Sequence, residues 1–155
     1  MATLAPCVWI PGRAEEAAAF YLAAFQRAGQ PAEIRGRMRM GAEGGLIAVT
    51  VVLAGQELML FNPPHEVTHT HAFSLFLTGA TQREVDALWD GLLEGGKPVQ
   101  CGWLTDRYGI SWQVVPAPVG DLLATADADQ AARLNEAIQD MVKIDLPTLQ
   151  KAVEG

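Results

Sequence analysis

The chain has 155 residues, enough for one compact domain with a sizeable core, and half of them are hydrophobic, which excludes a disordered chain. A formal charge of −7 argues against nonspecific binding to nucleic acid or to an anionic membrane, and no block of like charges forms a tail. The opening MATLAPCVWIPGRAEE lacks the basic and long apolar segments of a signal peptide, and no apolar stretch has transmembrane length, so a soluble, cytoplasmic protein is expected. Cys7 and Cys101 are far apart with no C-x-x-C, and read as two thiols packed as small hydrophobes.

In chain order, Leu4 to Ile10 is an apolar strand ended by Pro11-Gly12. A helix follows from Ala14 to Ala28, with Ala14, Ala17, Tyr21, Ala24 and Ala28 on one stripe, and Gly29-Gln30-Pro31 stops it. Glu33 to Met40 reads as a strand whose Glu33, Arg35, Arg37 and Arg39 face solvent. After the Gly41–Gly45 loop, Leu46 to Leu53 and Glu57 to Phe61 form a hairpin turned at Gly55-Gln56. The order then repeats. His71 to Thr78 is a strand, and Thr81 to Glu94 is a helix opened by a Thr81…Glu84 capping box and closed by Gly95-Gly96. Its core stripe is Val85, Leu88, Trp89 and Leu92. A short strand at Pro98–Gln100 precedes a hairpin: Gly102 to Thr105 leads in, Asp106-Arg107-Tyr108-Gly109 turns, and Ile110 to Val115 leads out to Pro116.

The expected fold is α+β: two β-α-β-β-β modules, about 4–62 and 71–116, whose repeat of roughly fifty to sixty residues is too long for a solenoid. A helical tail, about 119–155, completes the single domain. Asp127 to Val142 is amphipathic, and Asp145 caps a last helix through about Val153. This tail would cover the sheet or clasp a partner subunit.

Residues then carry a resemblance. Trp9-Ile10-Pro11-Gly12, Ala14-Glu15-Glu16-Ala17, Phe20-Tyr21, Gly55-Gln56 and Glu84-Val85-Asp86 with Leu88-Trp89 match a known pattern. So do Cys101-Gly102-Trp103-Leu104, Asp106, Tyr108-Gly109, Ser111-Trp112-Gln113 and Val115-Pro116, and in the tail Ala131-Ala132-Arg133 and Met141 with Lys143-Ile144-Asp145. Over essentially its whole length the chain resembles the PhnB-like branch, often labelled 3-demethylubiquinone methyltransferase-like, of the glyoxalase or vicinal-oxygen-chelate superfamily. The resemblance implies open, curled mixed sheets, each enclosing a cleft, and a homodimer. It also implies a divalent metal held by His, Glu or Gln from four strands, acting as a Lewis acid. Carried over by register, the four positions fall at Pro6, near Leu60, near Ala72 and at Gln113, and Gln113 alone could ligate. The expectation is therefore no metal and no cofactor. Its alternative is a weak site at His69 and His71, two apart on one strand face.

Strand parity divides the apolar residues. Cys7, Trp9, Met59, Phe61, Phe73, Leu75, Leu77, Trp112 and Val114 are assigned to the helix-packed core. Pro6, Val8, Ile10, Leu58, Leu60, Asn62, Ala72, Ser74, Phe76, Thr78, Ser111, Gln113 and Val115 are assigned to the cleft, an apolar wall with a few polar groups. The candidate ligand-binding residues are Leu60, Asn62, Ser74, Phe76, Trp103, Ser111 and Gln113. Ser74 and Ser111 have no histidine at motif spacing, GAEGG is not a phosphate loop, and no methyltransferase-type glycine-rich loop is present. The expected function is binding of a small, mostly apolar molecule in a metal-free cleft. The alternatives are a metal-dependent lyase, isomerase or dioxygenase of the superfamily, or a dimerising module without ligand.

Overall fold

The computed structural model describes all 155 residues. In order, its elements are β1 (Cys7–Trp9), α1 (Ala14–Arg27), β2 (Ala32–Arg39), β3 (Leu46–Leu53), β4 (Gln56–Phe61), β5 (Leu75–Gly79), α2 (Gln82–Leu93), β6 (Lys97–Pro98), β7 (Trp103–Thr105), β8 (Ser111–Pro116), α3 (Pro118–Thr125), α4 (Ala128–Asp140) and α5 (Leu146–Glu154). The strands make two four-stranded sheets, ordered β1-β4-β3-β2 and β5-β8-β7-β6. In each, the first strand runs parallel to the last and the other pairings are antiparallel. The expected α+β fold with β-α-β-β-β twice over is thus present. The chain divides into two compact units, Met1–Thr68 and His69–Gly155. No helix is long and apolar enough to cross a membrane.

In the first unit α1 is amphipathic for the reason its sequence announces. Its small Ala14, Ala17 and Ala24 let the helix approach closely, and Tyr21 and Phe25 fill the space between. Glu15 and Glu16 in its first turn and Arg27 in its last complement the helix dipole. Against it lie Val8, Ile10, Val49, Val51, Leu58 and Leu60, all buried. Each such side chain contributes about 1.5–3 kcal/mol by leaving water.

That packing reverses the face assigned to this sheet. Val8 pairs with Leu60, and Cys7 and Trp9 pair with Met59 and Phe61 on the opposite side. The strands LIAVTVVL and QELMLF are apolar but for Thr50 and Glu57 on the face of Met59 and Phe61 and Gln56 on the other, so alternation marks their parity only weakly. Packing fixes it: branched aliphatics fit the alanine stripe, whereas Trp9 meets Phe61 at 5.5 Å and His65 at 5.6 Å on the open side. The hairpin turns at Ala54-Gly55, one residue earlier than expected, because Leu53 pairs with Gln56 and both turn residues take positive φ. In β2 a register shift between Ile34 and Gly36 brings Arg37 opposite Val49, on the helix side, where it pairs with Glu15.

In the second unit Thr81 accepts from the Glu84 N–H, as expected, while the Glu84 carboxylate accepts from Ala80 rather than from Thr81. Val85, Leu88, Trp89 and Leu92 are buried, and so are Leu104, Trp112 and Val114 of the sheet. β5 begins at Leu75, where its ladder with Trp112 starts, so His71, Ala72, Phe73 and Ser74 lie outside the strand and Phe73 is exposed rather than core. Pro98 closes a two-residue β6 on the sheet edge.

The tail holds one helix that the pattern did not suggest, α3, begun by Pro118, whose fixed φ suits a helix start. α4 is capped by an Asp127–Gln130 capping box and α5 by Asp145. Val119, Leu134, Ile144 and Leu149 form the tail's own buried cluster, against which Val115 of β8 packs. Polar bonds add to this attachment: Gln82 donates to the Ile144 carbonyl and accepts from the Leu146 N–H. The Cys101 and Gly102 N–H groups donate to the Met141 and Val142 carbonyls.

Candidate functional site

The buried Leu104, Trp112 and Val114 fix the parity of the second sheet, so their neighbours in β7 and β8 face the other way. Cross-strand register then sets two rows on that open face. In one, Lys97 stands opposite Thr105 and Thr105 opposite Ser111. In the other, Trp103 stands opposite Gln113 and Gln113 opposite Phe76. The polar groups are tied together. Gln113 Nε2 donates to Ser74 Oγ at 2.9 Å, and His71 Nδ1 is hydrogen-bonded to Ser111 Oγ at 2.8 Å. The His71 ring stands edge-on to Trp103 at 5.6 Å. Ser111 is buried, whereas Phe76 is 63 % exposed. Five of the sequence-derived candidates, Ser74, Phe76, Trp103, Ser111 and Gln113, therefore share one surface.

Leu60 and Asn62 do not belong to it. Leu60 is fully buried on the helix side of the first sheet. Asn62 is engaged at both ends of its amide: Oδ1 accepts from the Ala14 N–H at the start of α1, and Nδ2 donates to the Leu46 carbonyl. It acts as a remote cap for α1.

His71 and Ser111 meet although no sequence spacing brings a histidine to either serine. The pair can hold or pass a proton, but it lacks the arrangement of a nucleophile. The structure gives His71 one hydrogen-bonded partner, with no carboxylate orienting its second nitrogen, and Ser111 lies within a paired strand.

Asp106, which the sequence placed in the turn and in the family pattern without a role, has one here. It is buried, with Oδ1 accepting from the Tyr108 and Ile110 N–H groups at 2.9 and 3.0 Å and Oδ2 from Trp112 Nε1 at 2.8 Å. Its backbone N–H donates to the Ile110 carbonyl. One carboxylate thus closes the β7–β8 turn and anchors the core tryptophan beneath Ser111 and Gln113. The signal was present as an Asp three residues before a turn glycine, the setting of an Asx turn.

The residues do not fit the superfamily's metal. With the first sheet's parity corrected, its open face presents Cys7, Trp9, Met59 and Phe61 in place of Pro6 and Leu60. Cys7, exposed, is the one thiol among them, and partial desolvation raises its pKa above the ordinary value. Glu57 has the same parity but pairs with Arg35. His69 and His71 are not on a strand: His69 lies beside the Gly109 turn and His71 on Ser111. No three His, Cys, Asp or Glu side chains gather anywhere in the molecule. A separate depression of about 530 Å³, bordered by Gln26, Pro31, Glu33 and Gly55, lies in the first unit and gathers no aromatic or catalytic group.

The family model described as 3-demethylubiquinone-9 3-methyltransferase matches residues 2–115. The match stops there, so the tail correspondence at Ala131–Arg133 and Met141–Asp145 is not part of it. The PhnB protein of Bacillus cereus is 31% identical, with 75% of this chain and 100% of that chain covered and a TM-score of 0.64. A Pseudomonas aeruginosa protein is 20% identical over 75% of this chain and 98% of its own, with a TM-score of 0.55. The fosfomycin resistance protein FosX of Listeria monocytogenes has a TM-score of 0.58 at 10% identity, over 77% of this chain and 94% of that chain. These last two are likenesses of fold. No curated protein matches the chain.

Proposed function

Because the chain belongs to the family described as 3-demethylubiquinone-9 3-methyltransferase, the PhnB-like branch of the glyoxalase superfamily, we propose that it uses its superfamily fold to bind a small, mostly apolar molecule without a metal. The ligand lies on the open face of the second sheet. One observation carries this reading: the hydrogen-bonded pair Ser74–Gln113 stands between the aromatic side chains of Trp103 and Phe76, and a second pair, His71–Ser111, lies in the row beside it. Aromatic faces supply contact area, and a few convergent polar groups fix orientation. The methyltransferase activity in the family's description is not part of the reading, since neither the sequence nor the two strand orders supply a glycine-rich cofactor turn between successive parallel strands.

Ligand-observed NMR with single-ring aromatic alcohols and ketones tests it. Hits that are lost on Trp103→Ala and weakened on Gln113→Ala, with circular dichroism unchanged, support the proposal. Hits indifferent to both substitutions, or none at all, overturn it.

A further inference from the structure

The charge on this open face differs from the charge of the chain. Overall the protein is acidic, at −7. Yet β5, β6, β7 and β8 contain no aspartate or glutamate, and Asp106, in the turn between β7 and β8, is buried on Trp112 Nε1. Lys97 is the one titratable side chain in these four strands, and His71 stands over Ser111. Lys97 makes no ion pair, although other cations of this unit do: Arg107 is paired with Glu94 and Lys143 with Asp86.

Register gives the face two sides. Lys97, Thr105 and Ser111, with His71 over Ser111, form a donor-rich row. Trp103, Gln113 and Phe76 form an aromatic row beside it. Lys97 and Ser111 are two strand spacings apart, roughly 10 Å, and the four-carbon lysine stem spans much of that distance. With Nδ1 committed to Ser111, His71 has Nε2 left to meet a ligand. Trp103 and Phe76 are likewise two strand spacings apart, roughly 10 Å, on either side of the shorter Gln113, so a flat ring resting on the Gln113 amide would be flanked by both.

We infer that the ligand of this face is a small aromatic monocarboxylate, its ring over Gln113 and flanked by Trp103 and Phe76, its carboxylate on Lys97, Thr105 and His71. The inference rests on the binding reading above and sharpens it to a ligand class. An acidic protein repels anions in general, so selective uptake of one requires a local cationic site.

Isothermal titration calorimetry at low ionic strength, with phenylacetate, phenylacetamide and acetate as probes, tests it. Phenylacetate is expected to bind at least tenfold more tightly than the neutral amide, and acetate, which lacks the ring, not measurably. Lys97→Met, an exposed edge position, should lower phenylacetate affinity about tenfold and leave the amide unchanged. His71→Gln should act in the same direction. If amide and acid bind alike, or Lys97→Met and His71→Gln leave phenylacetate affinity unchanged, the carboxylate inference is overturned while the binding reading stands. If neither ring compound binds, the carboxylate inference fails, and silence of the neutral aromatic set in NMR then removes the binding reading as well.

Discussion

Removing the Asp106 carboxylate should unseat the β7–β8 hairpin, and the size of the effect follows from its partners. Three donors point at it: two backbone N–H groups and the Trp112 indole. Asp106→Ala leaves all three without an acceptor in a buried setting. At about 1–3 kcal/mol per stranded donor, with partial relief by water at the half-buried Tyr108, the expected loss is about 3–5 kcal/mol. That is a large part of the 5–15 kcal/mol that holds a typical domain together. Asp106→Asn is the sharper probe. Its amide oxygen can still receive Tyr108 and Ile110, but its NH₂ then faces the indole N–H, donor against donor, so about 2–3 kcal/mol should be lost. Trp112→Phe removes that conflict, and the double variant should recover about 1 kcal/mol or more relative to the sum of the singles. Urea unfolding followed by far-ultraviolet circular dichroism measures each variant at constant m-value. An Asn variant within about 0.5 kcal/mol of the parent, or strict additivity with Trp112→Phe, would refute the reasoning.

Three further perturbations separate packing, capping and charge. Asn62→Ala strips α1 of its acceptor at Ala14 and Leu46 of its donor, and should cost about 1–2 kcal/mol in urea unfolding. Gly102→Ala meets two obstacles, a φ of +80° and an Ile144 Cγ1 2.8 Å from the added Cβ, for a loss of about 2–4 kcal/mol; limited proteolysis should then cut near 141–144 as the tail lifts. Asp86 tests acid stability. Burial alone would push its carboxyl up, but bonds from the Lys143 ammonium at 2.7 Å and the Gln82 amide at 3.0 Å outweigh it and hold the value below the ordinary one. Its folded form therefore binds fewer protons than the unfolded chain, so this stabilisation is present above about pH 4 and fades as the pH falls through the folded value. The melting-temperature gap between the parent and Lys143→Met should shrink below about pH 4, and a gap constant from pH 7 to pH 3 contradicts the assignment.

The element order was legible because punctuation is local. Pro11-Gly12, Gly29-Gln30-Pro31, Thr81…Glu84 and Gly95-Gly96 each act on the chain within a turn or two, and each ended or began an element where expected. Parity was legible where a strand carried polar residues on one side: Ser111 and Gln113 marked the open face of β8 before any packing was known. In β3 and β4 the marks were few, Thr50 and Glu57 on the open face against Gln56 on the other, and the choice is made by the shape of α1, a tertiary partner. α3 was missed because Pro118 reads equally as a stop and as a helix start, and Gly120 weakens the helical pattern that follows.

With the opposite parity Leu60 and Asn62 would line the site in place of Cys7, Trp9, Met59 and Phe61, yet neither face of the first sheet supplies the superfamily's metal ligands. On either face the first strand supplies no carboxylate or imidazole: Pro6 and Val8 on one, Cys7 and Trp9 on the other. On either face the fourth strand supplies Leu60 or Met59, and its single acid, Glu57, is held by Arg35. A conclusion drawn from residue types is indifferent to which way they point. A conclusion drawn from contact is not, and His71 with Ser111 shows the difference. They are forty residues apart, and only the parallel docking of β5 beside β8 brings them to 2.8 Å. That contact changes the character of the face. An isolated serine on an apolar wall offers one hydroxyl, whereas Ser111 carries an imidazole that stands edge-on to Trp103, two strands from the unpaired Lys97.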